Sequence, residues 1–161
     1  MAGEKDIRSV MPGVTAQQYL FAQVNALANR LQMVGDRLFE ELTWKQWFAL
    51  VCVLSFPEAP GLMEAAERMG TTHQNMKQLL LRLEKAGFVQ LVQDPADRRR
   101  TVIQAGEATP RLEAKYGART TAIMQALFEG ISPEETQTTI RTLTRMESNL
   151  QHLLLPEKEG P

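Results

Sequence analysis

Between Thr15 and Glu41 the apolar side chains Leu20, Val24, Leu27, Leu31, Val34 and Leu38 recur in steps of 4, 3, 4, 3 and 4. That is the a/d spacing of a helix with a narrow packing seam, and it predicts one long helix with a partner. Thr43-Trp44-Lys45-Gln46 has the S/T-x-x-E/Q form of a capping box and opens a second helix, which runs to about Ser55 because Pro57 and Pro60-Gly61 cannot continue it. A short helical stretch from Leu62 to Met69 stops at Gly70. Thr71 or Thr72 then caps another helix, with Gln74 as box partner, and Ala86-Gly87 closes it. Phe88 to Val92 and Thr101 to Gln104 read as two short strands around a polar turn. From Glu107 to Glu129 a further helix carries Leu112, Tyr116, Ile123 and Leu127 and ends at Gly130. Ser132-Pro133-Glu134-Glu135 starts the last one, with Ile140, Leu143, Met146, Leu150 and Leu153 on its apolar stripe.

The order predicts a mainly α fold with a small β-hairpin wing: a winged helix-turn-helix flanked by long dimerisation helices. The corresponding divisions are a flexible tail at 1–14, an N-terminal dimerisation helix at 15–42, a winged lobe at 43–105, C-terminal dimerisation helices at 106–155 and a flexible tail at 156–161. The helix-turn-helix rests on spacing. Ala66 lets the second helix approach, Gly70 makes the turn, and Met76 with Leu79 packs the second helix on the first. The seam at Leu20 to Leu38 and the stripe at Ile140 to Leu153 are more apolar surface than one small lobe covers, which predicts a homodimer.

Charge sharpens this picture. The 161-residue chain carries a net charge of −1, which at first argues against a polyanionic partner. Between Thr71 and Ala105, however, six basic residues face three acidic ones, giving 6 − 3 = +3 there and −4 elsewhere. The positive field is local, as binding to nucleic acid requires. Thr72, His73, Gln74, Asn75, Lys77 and Gln78 crowd the first turns of the helix after Gly70, and their side chains suit base edges and phosphates. Arg82 and Lys85 suit phosphates. A capping or surface role for His73, and a merely solvated face for Asn75 and Gln78, are the competing readings.

Asp94-Pro95-Ala96-Asp97-Arg98-Arg99-Arg100 at the hairpin tip, joined to Leu83-Glu84-Lys85-Ala86-Gly87-Phe88-Val89, resembles the MarR family of winged-helix transcriptional regulators, from about Thr15 to Leu155. The resemblance implies a homodimer that binds pseudo-palindromic double-stranded DNA, usually as a repressor released by a small molecule or an oxidant. By position, Thr72 to Gln78 would lie in the major groove, Arg99 with Arg98 beside it would enter the minor groove, and Asp97 would hold the Arg99 guanidinium. The chain departs from the family after the second strand. Where a leucine-threonine pair is usual it has Ala105-Gly106-Glu107-Ala108-Thr109, which predicts a looser junction.

An effector of aromatic or amphipathic character would find walls in Phe39, Trp44, Trp47 and Phe48, although core packing accounts for the same aromatics. Cys52, the only cysteine, lies in the apolar run Phe48 to Leu54 and reads as core filler rather than redox sensor. Two histidines, His73 and His152, lie too far apart to suggest a metal site, and no cofactor is expected. With no Gly-rich phosphate loop and no nucleophile beside a histidine, the chain does not read as an enzyme. No apolar run approaches the roughly 20 residues a bilayer span needs, and Met1 to Val14 has acidic residues and no apolar core of signal-peptide type, so the chain reads as cytoplasmic. The other function open to this fold is a winged-helix protein-interaction module without DNA binding.

Overall fold

The computed structural model describes residues 13–154, in two compact units that meet in sequence at Tyr116 and Gly117. The tails expected at 1–14 and 156–161 fall outside the described residues, apart from Gly13 and Val14.

In the first unit, α1 spans Ala16–Gly35 and is capped by Thr15, whose hydroxyl accepts the Gln18 N–H while the Gln18 side chain accepts the Thr15 N–H. Periodicity extends this helix to Glu41, but the structure ends it at Gly35. The cause is local. Asp36 Oδ1 accepts the Trp44 N–H at 2.7 Å, which draws the chain back on itself. The Trp44 ring lies so close to Gly35 that any Cβ there would overlap it. Leu38, Phe39 and Leu42 therefore turn into the core, and Leu38, expected on the partner-facing seam, is only 7% exposed.

The next helices are α2 (Trp44–Leu54), capped by Thr43 with Gln46 completing the box, α3 (Leu62–Met69) and α4 (His73–Lys85). Gly70 ends α3 at φ 67°, a left-handed turn that suits glycine. Thr72 caps α4 by accepting the Asn75 N–H at 3.2 Å, so Thr71 and Gln74 do not form the box expected of them. Met76, Leu80 and Leu83, spaced 4 and 3, make one buried stripe, and α4 packs on α2 and α3, whose Ala49, Leu50, Ala65 and Ala66 are buried too. Leu79, expected beside Met76, lies only half-buried because its helical angle turns it off that stripe, and Leu80 takes its place. Truncating Leu80, which is 1% exposed, removes a contact of the class worth about 2–5 kcal/mol.

Strands β1 (Val89–Gln93) and β2 (Thr101–Ala105) pair antiparallel, with Leu91 opposite Ile103. The Pro60-Gly61 segment adds a short third edge, since Pro60 O accepts the Ile103 N–H at 2.9 Å and Gly61 bridges to Val102. Proline has no N–H to give, so an edge position costs it nothing.

Helix α5 (Thr109–Leu127) starts in this unit. The looser junction expected there does not form. Phe88 O accepts both the Gly106 N–H at 2.9 Å and the Thr109 hydroxyl at 2.7 Å, and Gly87 O accepts the Ala108 N–H at 3.1 Å. A Cβ on Gly106 would overlap the Gly87 carbonyl. Glycine permits the close approach, and Thr109 supplies the tie that a threonine elsewhere would have made. Leu112 and Tyr116 are buried, and the Tyr116 hydroxyl accepts the Glu40 N–H at 3.2 Å.

The second unit holds the rest of α5 and α6 (Pro133–Leu154). Ser132 and Glu135 form the reciprocal cap that the sequence predicts, Ser132 Oγ accepting the Glu135 N–H and Glu135 Oε2 the Ser132 N–H. These bonds hold the Glu135 carboxyl below its ordinary pKa. Ile140, Leu143, Leu150 and Leu153 are all exposed in the single chain.

Candidate nucleic-acid interface

The buried stripe of α4 decides what the helix offers to solvent. With Met76, Leu80 and Leu83 turned inward, Thr72, His73, Gln74, Asn75, Lys77, Gln78 and Arg82 are all exposed. Along the helix they form one continuous arc: Asn75, Gln78 and Arg82, spaced 3 and 4, share a stripe, Gln74 and Lys85, four residues before and seven after Gln78, lie beside it, and Lys77 marks the far edge. Basic Arg82 and Lys85 in the last turn also complement the helix dipole. Helix and wing are tied together: Glu84 Oε1 accepts the Leu91 N–H of β1 at 3.0 Å.

The wing tip is stiffened by two aspartates acting on the backbone. Asp94 Oδ1 accepts the Ala96 N–H at 2.8 Å, and Asp97 Oδ1 accepts the Arg99 N–H at 3.0 Å. Asp94 N–H bonds to Arg100 O, and Arg100 N–H to Asp97 O, each at 2.9 Å. Asp97 thus holds the backbone of Arg99 and not its guanidinium, a correction to the sequence expectation. A short Asx turn places the carboxylate over the amide two residues on, out of line with the next long side chain. Among the described residues, the wing's ion pairs belong to Arg100, whose guanidinium meets Glu64 and lies 3.6 Å from Asp94 Oδ2. Arg98 and Arg99 are exposed.

The four aromatics divide. Trp44 and Phe48 line a cavity of about 800 Å³ together with Leu31, Lys45, Leu79 and the α4 stripe Asn75, Gln78 and Arg82. Phe39 is buried and stacks on Trp47 at 5.4 Å between ring centres, with Tyr116 edge-on at 5.1 Å, so these two serve the core. Trp47 in turn stacks on Trp44 at 4.8 Å and buttresses the cavity wall. Lys45 and Arg82 are the charged residues of the lining, and no carboxylate joins them. Sequence patterning identifies the aromatics but not this cavity, because α1, α2, the end of α3 and α4 contribute to it from distant positions.

Burial raises the Cys52 thiol above its ordinary pKa, partly offset by Arg68, which suits a packing residue. Among the described residues, no group of three or more His, Cys, Asp or Glu is placed to hold a metal ion. No helix among them is long and apolar enough to cross a membrane.

The sequence profile of the MarR family matches residues 41–100, which are α2 to α4, β1 and the wing tip. Over that segment the chain is similar to the MarR family. It is 33% identical over 112 residues, 61% of this chain, to the transcriptional activatory protein BadR of Rhodopseudomonas palustris. The chain spans less than two thirds of the length of the curated relatives it matches, 63% in the case of BadR. Among solved structures it resembles a MarR/EmrR family regulator from Acinetobacter sp. ADP1, with a TM-score of 0.75 at 15% identity, covering 86% of this chain and 99% of that one. It also resembles the PcaV regulator of Streptomyces coelicolor bound to its natural ligand, with a TM-score of 0.69 at 19% identity, covering 86% and 98%. At such identities the likeness establishes the fold. The relatives are named as regulators of transcription, and the MarR family is not one of enzymes.

Proposed function

We propose that this protein is a regulator of MarR type that binds double-stranded DNA sequence-specifically and regulates transcription as a homodimer, with α4 in the major groove and the wing in the minor groove. The observation that carries this reading is the surface of α4 and the wing. Amides and cations occupy the exposed side of a helix whose other side is locked by Met76, Leu80 and Leu83, and two exposed arginines stand on a hairpin stiffened by Asp94 and Asp97. Amides pair with base edges, and arginines with narrow, electronegative minor grooves.

Dimerisation is supported by apolar residues left exposed on each unit. They are Leu20, Phe21, Val24, Leu27 and Val34 on α1, and Ile140, Leu143, Leu150 and Leu153 on α6. A helix of 22 residues with no buried side chain among the described ones is not stabilised by its own unit, and a second copy supplies what is missing. Two copies also present two α4 helices to a pseudo-palindromic operator, with half-sites about one turn apart.

Release by an effector is supported by the cavity. Trp44 and Phe48 offer aromatic walls, and Lys45 with Arg82 offers positive charge, which suits an amphipathic aromatic ligand bearing an anionic group. Asn75, Gln78 and Arg82 belong both to this lining and to the surface that would read DNA. A ligand engaging them withdraws the same side chains from bases, which gives release a direct physical basis.

The regulatory sign taken here is repression by occlusion of a promoter; BadR is named for activation, so in vitro transcription with and without the protein is the deciding measurement. A cytoplasmic site of action follows from a DNA partner. The primary test is a mobility-shift titration against random and promoter DNA, followed by footprinting. The proposal expects a salt-sensitive, sequence-preferring complex with dyad-symmetric protection. A protein that binds neither DNA while circular dichroism shows an intact fold is instead a winged-helix interaction module.

A further inference from the structure

We propose that Glu64 is a positioning residue for the wing, acting through Arg100, and that Arg100 is an internal strut rather than a third DNA-contacting arginine. Glu64 belongs to α3, outside the recognition helix and 36 residues before Arg100. One carboxylate oxygen, Oε2, accepts the Gly61 N–H at 2.6 Å and also takes the Arg100 guanidinium. The same oxygen therefore caps α3, fixes the segment whose Pro60 and Gly61 pair with β2, and holds the residue at the base of the wing loop. From the other side, Arg100 O accepts the Asp94 N–H at 2.9 Å, and the Arg100 guanidinium lies 3.6 Å from Asp94 Oδ2. Arg100 is thus held at both main chain and side chain, between α3 and the start of the loop.

The consequence is a division of labour among three consecutive arginines. Arg100 spends its charge on Glu64 and Asp94, while Arg98 and Arg99, beyond the strut, keep theirs for a partner. A two-stranded hairpin alone is marginally stable and would sweep its tip over a wide range. Tying its base to a packed helix narrows that range and reduces the ordering cost when the tip binds. The Glu64 carboxyl is held below its usual range, first by the Gly61 N–H and then by Arg100. The strut is therefore fully charged at neutral pH and is lost only as pH falls through that lowered value.

Two independent readouts on the full chain test this. The first is amide hydrogen exchange across residues 94–103 in DNA-free protein. Glu64→Gln keeps an oxygen for the Gly61 N–H but removes the charge. It and Arg100→Gln should each speed exchange at Asp94 and neighbouring wing amides about two- to fivefold, the scale of an exposed charge pair. Arg100→Lys, which can still pair with Glu64, should keep most of the protection, and Glu67→Gln on the same helix should change nothing. The second readout is DNA affinity as a function of salt, and it rests on the DNA-binding reading above. Glu64→Gln and Arg100→Gln should weaken binding about two- to fivefold with an unchanged salt slope, and the double variant should be no weaker than the worse single one. Unchanged wing exchange in both variants would overturn the strut. A salt slope reduced by about one unit in Arg100→Gln would make Arg100 a direct phosphate contact and overturn the division of labour. If the parent chain binds no DNA, the DNA-binding reading falls, while the exchange measurement still decides the strut.

Discussion

Replacing Gly106 by alanine tests whether the junction between β2 and α5 is as tight as its geometry indicates. The added methyl would overlap the carbonyl of Gly87 and the backbone of Phe88, and neither can swing aside as the end of a flexible side chain could. Three hydrogen bonds converge on those two carbonyls, from Gly106 N–H, Ala108 N–H and the Thr109 hydroxyl. Relief therefore requires backbone movement. Overpacking of this kind costs about 1–3 kcal/mol, and each of the three bonds lost adds about 0.5–1.5 kcal/mol. Stiffening the unfolded chain offsets about 0.4–1 kcal/mol. The net expectation, with one bond lost, is destabilisation of roughly 2–3 kcal/mol. Gly70→Ala is the comparator. Gly70 sits at φ +67° with open space around it, so only the left-handed strain of about 1–2 kcal/mol applies, against the same offset. Urea unfolding followed by circular dichroism, at one protein concentration because association contributes to stability, gives the comparison. With slopes of about 1–3 kcal/mol per molar urea, Gly106→Ala should lower the midpoint by on the order of 1 M. A Gly106→Ala midpoint within about 0.2 M of the parent, or a larger loss at Gly70→Ala, refutes the reasoning.

Arg99→Ala should lower affinity for all operator variants alike and reduce the salt slope by about one unit, since a wing cation reads groove shape and charge; an unaltered titration with an intact fold would show the wing to be idle. Asn75→Ala or Gln78→Ala should instead lose roughly 1–3 kcal/mol against particular base pairs, measured on single-base operator mutants, and leave binding to random DNA nearly unchanged. Light scattering at micromolar concentration should give about twice 18.1 kDa. Leu143→Glu should shift the mass toward one copy, and a parent that is monomeric with full helicity would rule out the dimer.

Local chemistry was the part of this fold that the sequence expressed well. Thr43/Gln46 and Ser132/Glu135 form the caps their spacing announces, and Gly70 makes the turn expected of it, because each involves residues three or four apart. Long-range geometry was less accessible. The a/d rhythm from Leu20 to Val34 is a true helical rhythm, yet Asp36 and Trp44 stop the helix at Gly35 before Leu38, and periodicity carries no information about a side chain that takes an amide eight residues on. Leu79 and Leu80 are both apolar, and only the angle at which α4 meets α2 and α3 decides which is buried. The cavity depends on four helices at once.

The wing shows the same limit at the scale of single atoms. Arg98, Arg99 and Arg100 are chemically identical, and a count of positive charge treats them as one cluster. Their roles separate only when the chain brings Glu64 and Asp94 against the last of the three. The sequence does hold a clue, since Glu64 stands three residues after Gly61, in the position of a capping partner. What it does not hold is that the capping oxygen has a second donor waiting across the sheet. An acidic residue placed by a helix cap thus becomes available to order a basic loop distant in sequence. A cation on that loop is therefore a candidate DNA contact only if the folded neighbourhood leaves its charge unspent, a test that Arg99 passes and Arg100 does not.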